Sequence, residues 1–227
     1  MLISIIMPVY NERRYIEEIV NRVLKTDIEK ELIVVDDFST DGTRDILSRV
    51  GANRGIKIIY HERNKGKGVA IRTALKVVSG DVVIIQDADL EYDPREYPRL
   101  LEPILDGRAD AVFGSRFLGG PHRVLFFWHY MGNKFLTLLS NILSNLNLTD
   151  METGFKAFRA DVLKSLTLKS DRFGFEPEVT ARLAKKRYRI YETPISYSGR
   201  SYAEGKKIGW RDGVAAIFHI IRFNMFG

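Results

Sequence analysis

Residues 81–93, "DVVIIQDADLEYD", set Asp87, Asp89, Glu91 and Asp93 at alternate positions directly after the apolar run 82–85. On an extended backbone, positions i, i+2 and i+4 point to the same side. Two like charges ~4 Å apart repel by ~4 kcal/mol at an effective dielectric of ~20, so a cluster of this kind needs a cation. Hard oxygen donors without Cys or His favour Mg²⁺ or Mn²⁺, and Asp87, Asp89 and Glu91 are the candidate ligands. Such an ion commonly joins protein carboxylates to substrate phosphates. The competing explanation is a solvated acidic loop, and a position at the end of a core strand weighs against it.

Two further stretches offer nucleoside or phosphate contacts. "VVDDFSTDGT", 34–43, leaves Asp36 and Asp37 at the end of an apolar run, where a carboxylate can accept hydrogen bonds from base or ribose donors. "RNKGKG", 63–68, puts two glycines and the cations Lys65 and Lys67 before a helix-like segment. A helix N-terminus preceded by glycine is a natural anion site, although a tight turn would look the same. Neither G-x-G-x-x-G after the first strand nor G-x-x-x-x-G-K-[ST] is present, which excludes the dinucleotide fingerprint and the P-loop.

These residues have to be positioned by regular elements, and the first half of the chain alternates two patterns. Segments 2–10, 31–37, 56–62, 81–89 and 109–116 read as strands. Between them, 11–25, 39–50, 66–80 and 93–107 read as helices. Tyr15, Ile16, Ile19, Val20, Val23 and Leu24 form the apolar stripe of the first, Ser39 or Thr40 is the expected N-cap of the second, and Pro94 and Gly107 bracket the fourth. Near-continuous apolar strands separated by helices imply an α/β fold with a mostly parallel sheet covered on both faces. Ligands bind beyond the carboxyl ends of such strands. All five predicted exits are polar there: 8–12, 36–37, 61–67, 87–91 and 115–116.

The second half differs. Residues 124–149 contain one formally charged residue, Lys134, and set Met131, Phe135, Leu138, Leu139, Ile142 and Leu146 on one helical face. The last segment, from Trp210, sets Val214, Ile217, Phe218, Ile221 and Met225 on a face of its own. With no repeat, low-complexity tract or Gly/Ser linker, a single domain over 1–227 is expected. The chain has 227 residues, 45% hydrophobic and 28% charged, with formal charge +6 and no cysteine. Disulfides, thiolate metal sites and a cysteine nucleophile are thereby excluded, and a reducing compartment fits. The start lacks the marks of a signal peptide, and no apolar run reaches the ~18 residues of a membrane span. The basic surplus suits solubility or attraction to phosphates or an anionic membrane. The charges are dispersed and no reader motif is present, so nucleic acid is not an expected partner.

"SIIMPVYNE", "IVVDDFSTDGT", "RNKGKGVA", "QDADLEYDP", "VFGSRF" and "METGFKAFR", in this order and spacing, resemble the family 2 glycosyltransferases of the GT-A fold. The closest likeness is to the dolichol-phosphate mannose synthase and polyprenyl-phosphate glycosyltransferase branch, from residue 3 to about residue 210. The resemblance implies that Pro8, Tyr10, Glu12, Asp36 and Asp37 hold the nucleoside, with Lys65 and Gly68 facing the base or phosphates. Asp87, Ala88 and Asp89 form the D-x-D that binds the divalent ion and the donor diphosphate. Glu91 stands where related synthases often carry Gln as a further metal contact. Arg116 resembles the arginine offered to the acceptor phosphate, and Asp150 heads the segment beneath the acceptor, with Glu152 two residues on. Arg200, Lys206 and Lys207 would close over the diphosphate. Residues 1–118 would then form the nucleotide-sugar half, and 119–227 the acceptor half with amphipathic helices at about 122–148 and 209–226. Many members of that branch continue into transmembrane helices, so this sequence is either a short form or part of a longer one.

The expected chemistry is inverting transfer of a hexose from a nucleotide sugar, GDP-mannose or UDP-glucose, to a polyprenyl (dolichyl) phosphate. Cations offset the charge of the leaving diphosphate. A lipid phosphate is already anionic and needs cations, Arg116 and Arg123, but no strong base. A sugar-hydroxyl acceptor needs a base, for which Asp150 is the candidate. A nucleotide-sugar-binding protein without turnover is the reading from another class. The aromatic-rich 124–135 and the last segment suggest interfacial helices, hence peripheral contact with the cytoplasmic face of a membrane, although packing on the sheet or in a dimer would use the same residues. The oligomeric state stays open.

Overall fold

The structure, a computed structural model, describes residues 1–52, 54–124, 126–201, 204 and 209–226, with side chains omitted at 210 and 211. Strands β1 (Ile3–Val9), β2 (Lys30–Asp36), β3 (Lys57–Tyr60), β4 (Val82–Ile85), β5 (Ala111–Ser115), β6 (Lys156–Arg159) and β7 (Ile190–Pro194) form one sheet in the order β3-β2-β1-β4-β6-β5-β7. Only β6 runs against its neighbours, β4 and β5. The helices are α1 (Ile16–Leu24), α2 (Thr43–Gly51), α3 (Lys67–Leu75), α4 (Tyr97–Leu105), α5 (Phe127–Ser144), α6 (Ala160–Ser165), α7 (Phe175–Lys185) and α8 (Trp210–Met225).

Alternation along the strands divides the core between the two faces. Ile3, Ile5, Met7 and Val9 of β1 and Val82 and Ile84 of β4 pack with α1, α2 and α4. Ile6, Val83 and Ile85 point the other way, into a cluster with α3, α6, α7 and Ile220 of α8. Fully burying such a side chain is worth ~1.5–3 kcal/mol. A one-residue slip of β1 would exchange every one of these partners, so burial on both faces holds the five polar strand exits at one rim.

The structure moves several expected boundaries. Helix α1 begins at Ile16 because 10–15 belong to the rim: Asn11 takes positive φ, its N–H donates to Ser39 Oγ, and its Oδ1 accepts from Thr40 N. Neither Ser39 nor Thr40 caps α2. Gly42, at φ 93°, precedes that helix, and Asp41 accepts from the N–H and hydroxyl of Thr43. Four elements are additional to the sequence reading: β6, α6, α7 and β7. The chain leaves β5 at the rim, runs out along α5, and returns across the rim at 149–155. The strand that follows therefore starts at the rim and must be antiparallel.

Among the described residues, no helix is long and apolar enough to cross a membrane. Helix α8 buries Ala216, Ile220 and Phe223, and its other stripe, Val214, Phe218, Ile221 and Met225, is exposed.

Candidate active site

At the exit of β2, Asp36 is fully buried. Its Oδ2 accepts from Arg44 Nε (2.6 Å) and Ser39 N (3.1 Å). Its Oδ1 is buried with no hydrogen-bond partner in the structure, an unusual state for a carboxylate. Asp37 ties two exits together. It accepts from Lys65 N (2.8 Å), from Gly66 N (2.6 Å) and from His61 Nδ1 (2.7 Å). The other nitrogen of His61 meets Thr73 Oγ1 at 3.0 Å. Asp37 thus shapes the turn before α3, where Gly66 takes φ 96°. Lys65 lies on this turn; Gly68 is buried on α3, where a Cβ would collide with the carbonyl of Ser170. Pro8 is half-buried in β1, and Tyr10 is exposed just beyond it.

The four alternating carboxylates do not share one side, because β4 ends at Ile85 and the chain bends over residues 88–92. Asp93 leaves the group: it accepts from Arg95 N (2.9 Å) and caps the 3-10 turn Pro94–Glu96. Asp87 pairs with Lys67 Nζ at 2.8 Å, and that ammonium also pairs with Glu176 at 2.9 Å. Asp89 Oδ2 takes Arg200 Nη2 at 2.6 Å. Arg200 also reaches Glu12 and Glu91, each at 3.2 Å, and Glu91 accepts from Tyr197 OH at 2.9 Å. Ala88, between the aspartates, is buried in the core. The cluster therefore holds five carboxylates on two side-chain cations. Burial, with the charges of Glu91 and Asp87, pushes Asp89 up to about 8. Burial disfavours the charge of Lys67, yet Asp87 and Glu176 outweigh it and raise its pKa; Arg200 is raised in the same way by Asp89, Glu12 and Glu91.

On the other side of β4, Arg116 and the fully buried Asp150 form a two-pronged pair. Arg116 Nε meets Oδ2 at 2.6 Å and Nη2 meets Oδ1 at 2.7 Å. Arg116 also lies 5.1 Å from the ring centre of Tyr197. Glu192 of β7 holds this pair from behind, accepting from Thr149 N (2.8 Å) and Asp150 N (3.0 Å). Below it Lys156 is fully buried, donates to the carbonyls of Met151 and Thr153, and is pushed down to about 8 by burial. Burial pushes Glu152 up to about 8, and its Oε1 has no partner. Arg123 donates to Gly199 O (3.2 Å) and Glu204 (2.8 Å). Lys206 and Lys207 lie outside the described residues.

Sequence reasoning missed Glu176, Glu192 and Tyr197. Glu176 looks like an ordinary first-turn acid of a helix, and no spacing announces that it meets Lys67, more than a hundred residues away. Its buried position makes Lys67 a strong structural determinant. Breaking a buried pair by removing one partner typically costs about 3–5 kcal/mol. Lys67→Met is expected to lose stability on that scale in urea unfolding; a midpoint equal to the wild type would contradict the pairing.

Could the cluster hold a metal? The donors are hard oxygens, and the buried negative surplus at Asp89 is what a divalent cation relieves, so the residues present fit Mg²⁺ or Mn²⁺. Among the described residues, no three carboxylate or imidazole groups already surround one point. Asp87 and Asp89 would therefore share the ion with substrate oxygens and water, as is usual for Mg²⁺.

A family model described as glycosyl transferase family 2 matches residues 4–167. The chain is 32% identical over 228 residues to the undecaprenyl-phosphate mannosyltransferase of Micrococcus luteus, covering 96% of this chain and 92% of that protein. It is 31% identical over 214 residues to the dolichol-phosphate mannosyltransferase of Pyrococcus furiosus, covering 92% of this chain but 60% of that one. Glucosyl-3-phosphoglycerate synthase from Mycobacterium tuberculosis, solved with Mn²⁺, UDP and glucosyl-3-phosphoglycerate, has the same fold at TM-score 0.77 and 22% identity, over 97% of this chain and 77% of that one. That fold is the GT-A architecture expected from the motifs. With a family match over most of its length and polyprenyl-phosphate mannosyltransferases among its relatives, the chain belongs to glycosyltransferase family 2 and is a glycosyltransferase.

Proposed function

We propose that this chain is an inverting transferase that moves a hexose, mannose or glucose, from a nucleotide sugar to a polyprenyl (dolichyl) phosphate. The observation that carries the acceptor class is the pair at the end of β5: both oxygens of Asp150 are engaged by Arg116. A hydroxyl acceptor needs a base within hydrogen-bond reach, and Asp150 is committed elsewhere. A phosphate acceptor needs only a cation, and Arg116, whose N, Nε and Nη2 hold Asp150, has Nη1 outside that pair to offer. The names of the Micrococcus and Pyrococcus relatives support the same acceptor class.

In this reading residues 1–118 serve the donor. The unpartnered Oδ1 of Asp36 accepts from the nucleoside, and the turn built on Asp37, whose carboxylate takes the N–H groups of Lys65 and Gly66, carries the Lys65 side chain at the same rim. A divalent ion held by Asp87 and Asp89 would offset the charge that develops on the leaving diphosphate. Arg200 would offset it from the other side. Residues 119–227 serve the acceptor, whose phosphate oxygen, drawn to Arg116, attacks the sugar opposite the diphosphate and inverts the anomeric centre. A panel of radiolabelled nucleotide sugars, each with a polyprenyl phosphate and with or without Mn²⁺, tests this. The expected result is metal-dependent label in a lipid-phosphate sugar; label only in free or lipid-linked saccharides would overturn the acceptor.

The lipid acceptor requires contact with a membrane surface. Helices α5 and α8 pack together and expose Phe127, Trp128, Met131, Phe135, Leu138 and Ile142 on the first and Val214, Phe218 and Met225 on the second, Trp128 being 80% exposed. Apolar faces flanked by aromatic and basic residues suit the interface of an anionic leaflet, here the cytoplasmic one. Replacing Phe127 and Trp128 together by Ser is expected to cut liposome binding several-fold while leaving donor binding intact. Unchanged sedimentation with liposomes would remove the interfacial role.

A further inference from the structure

The cation in the carboxylate mouth is a side chain of this protein. Arg200 places Nη2 on Asp89 Oδ2 (2.6 Å), Nη1 on both oxygens of Glu12 (3.2 Å each) and Nε on Glu91 Oε1 (3.2 Å). Its partners come from the exits of β1 and β4, and their side chains are 10–15% exposed. The remaining oxygen of Asp89 accepts from Glu91 N at 3.1 Å. A divalent ion bound to Asp89 would have to share that carboxylate with a guanidinium already in contact with it. Two cations on one carboxylate divide its charge between them and repel one another. Metal and guanidinium therefore compete for Asp89.

The backbone near Arg200 has its own anchors. Ser198 N donates to Glu91 O (3.0 Å), and Arg200 N donates to Glu91 Oε1 (3.1 Å). The guanidinium can leave Asp89 without those anchors breaking, because they hold the main chain rather than the side-chain tip. The main chain at 198–200 stays fixed to Glu91, so a released Arg200 remains within reach of an anion bound at the mouth.

We propose that Arg200 is a resident counter-ion that competes with the divalent metal for Asp89, so that the metal binds well only when a bound anion takes over the guanidinium. The inference rests on the reading that Asp89 is a metal ligand, and it adds an order of events: the metal is held back until a diphosphate is present. Affinity is reduced by the fraction of molecules in the competent state; with about one molecule in ten open, the deficit is about tenfold.

Mn²⁺ alone is the probe. Free Mn²⁺ is titrated by electron paramagnetic resonance against the full chain without nucleotide. Arg200→Ala is expected to bind Mn²⁺ about tenfold more tightly than the wild type. Arg200→Gln, which keeps a hydrogen-bonding side chain, should tighten binding in the same direction and covers the case in which the alanine variant does not fold. Arg200→Lys, which keeps the charge, should stay nearer the wild type. Mn²⁺ should also raise the melting temperature of Arg200→Gln more than that of the wild type, because stabilisation follows occupancy. If Asp89→Asn abolishes binding while Arg200→Ala and Arg200→Gln bind no more tightly than the wild type, the competition is overturned and the metal site stands. If Asp89→Asn leaves Mn²⁺ binding unchanged, the metal assignment itself fails, and the competition with it.

Discussion

Asp89→Asn is expected to lower the rate of transfer by at least 10²–10³-fold, the usual effect of removing one preorganised electrostatic contact to a developing charge. The substitution keeps size and hydrogen-bonding capacity and removes only the negative charge. Asp89 is 8% exposed and already disfavoured as an anion by burial and by Glu91 and Asp87. Neutralising it relieves the repulsion with Glu91 and Asp87 and gives up the 2.6 Å pair with Arg200, which keeps Glu12 and Glu91 as partners, so the melting temperature should change little. Loss of activity with retained stability is the pattern of a charge kept for function. Full activity in Asp89→Asn would remove the metal and diphosphate roles together.

Arg116→Ala is expected to raise the acceptor KM by tenfold or more and to leave the donor KM much less affected. The geometry separates the two effects. Arg116 faces Asp150 and Tyr197, whereas Asp36 and Asp37, which we propose serve the nucleoside, are held by Arg44 and by the turn before α3. Removing the guanidinium also leaves Asp150 buried without its cation, which typically costs about 3–5 kcal/mol. Arg116→Lys is therefore the necessary companion. It keeps the charge, loses the two-pronged geometry, and should fall between wild type and alanine in acceptor KM. An equal rise in both KM values would contradict a role on the acceptor side.

The buried strands and their polar exits were legible because they depend on local order. Runs such as 32–35 and 82–85 can be buried on both sides only in a covered sheet, and the residues after them must emerge at an edge. The spacing of Asp87 and Asp89 is likewise local. The inclusion of Asp93 in the cluster was not, since it assumed that β4 stays extended beyond Ile85. The chain turns there, and Asp93 caps Pro94–Glu96 instead. The apolar stripe of α8 was also visible, but a stripe does not reveal what covers it. The helix uses Ala216, Ile220 and Phe223 for packing and leaves most of the stripe in solvent.

The order of residues along the chain was enough to specify the layered α/β architecture and the rim at which the polar strand exits gather, because alternation and apolar runs are properties of neighbours; the roles of Arg116 and Arg200 came from the family resemblance. The pairing of the charges there was not encoded in any spacing. Lys67 meets Glu176, Arg200 meets Glu12 and Asp89, and Glu192 supports Asp150, across separations that exist only once β6 has returned through the sheet and α7 has closed on α3. Electrostatic energy depends on distance in space and on burial, and a linear pattern carries neither.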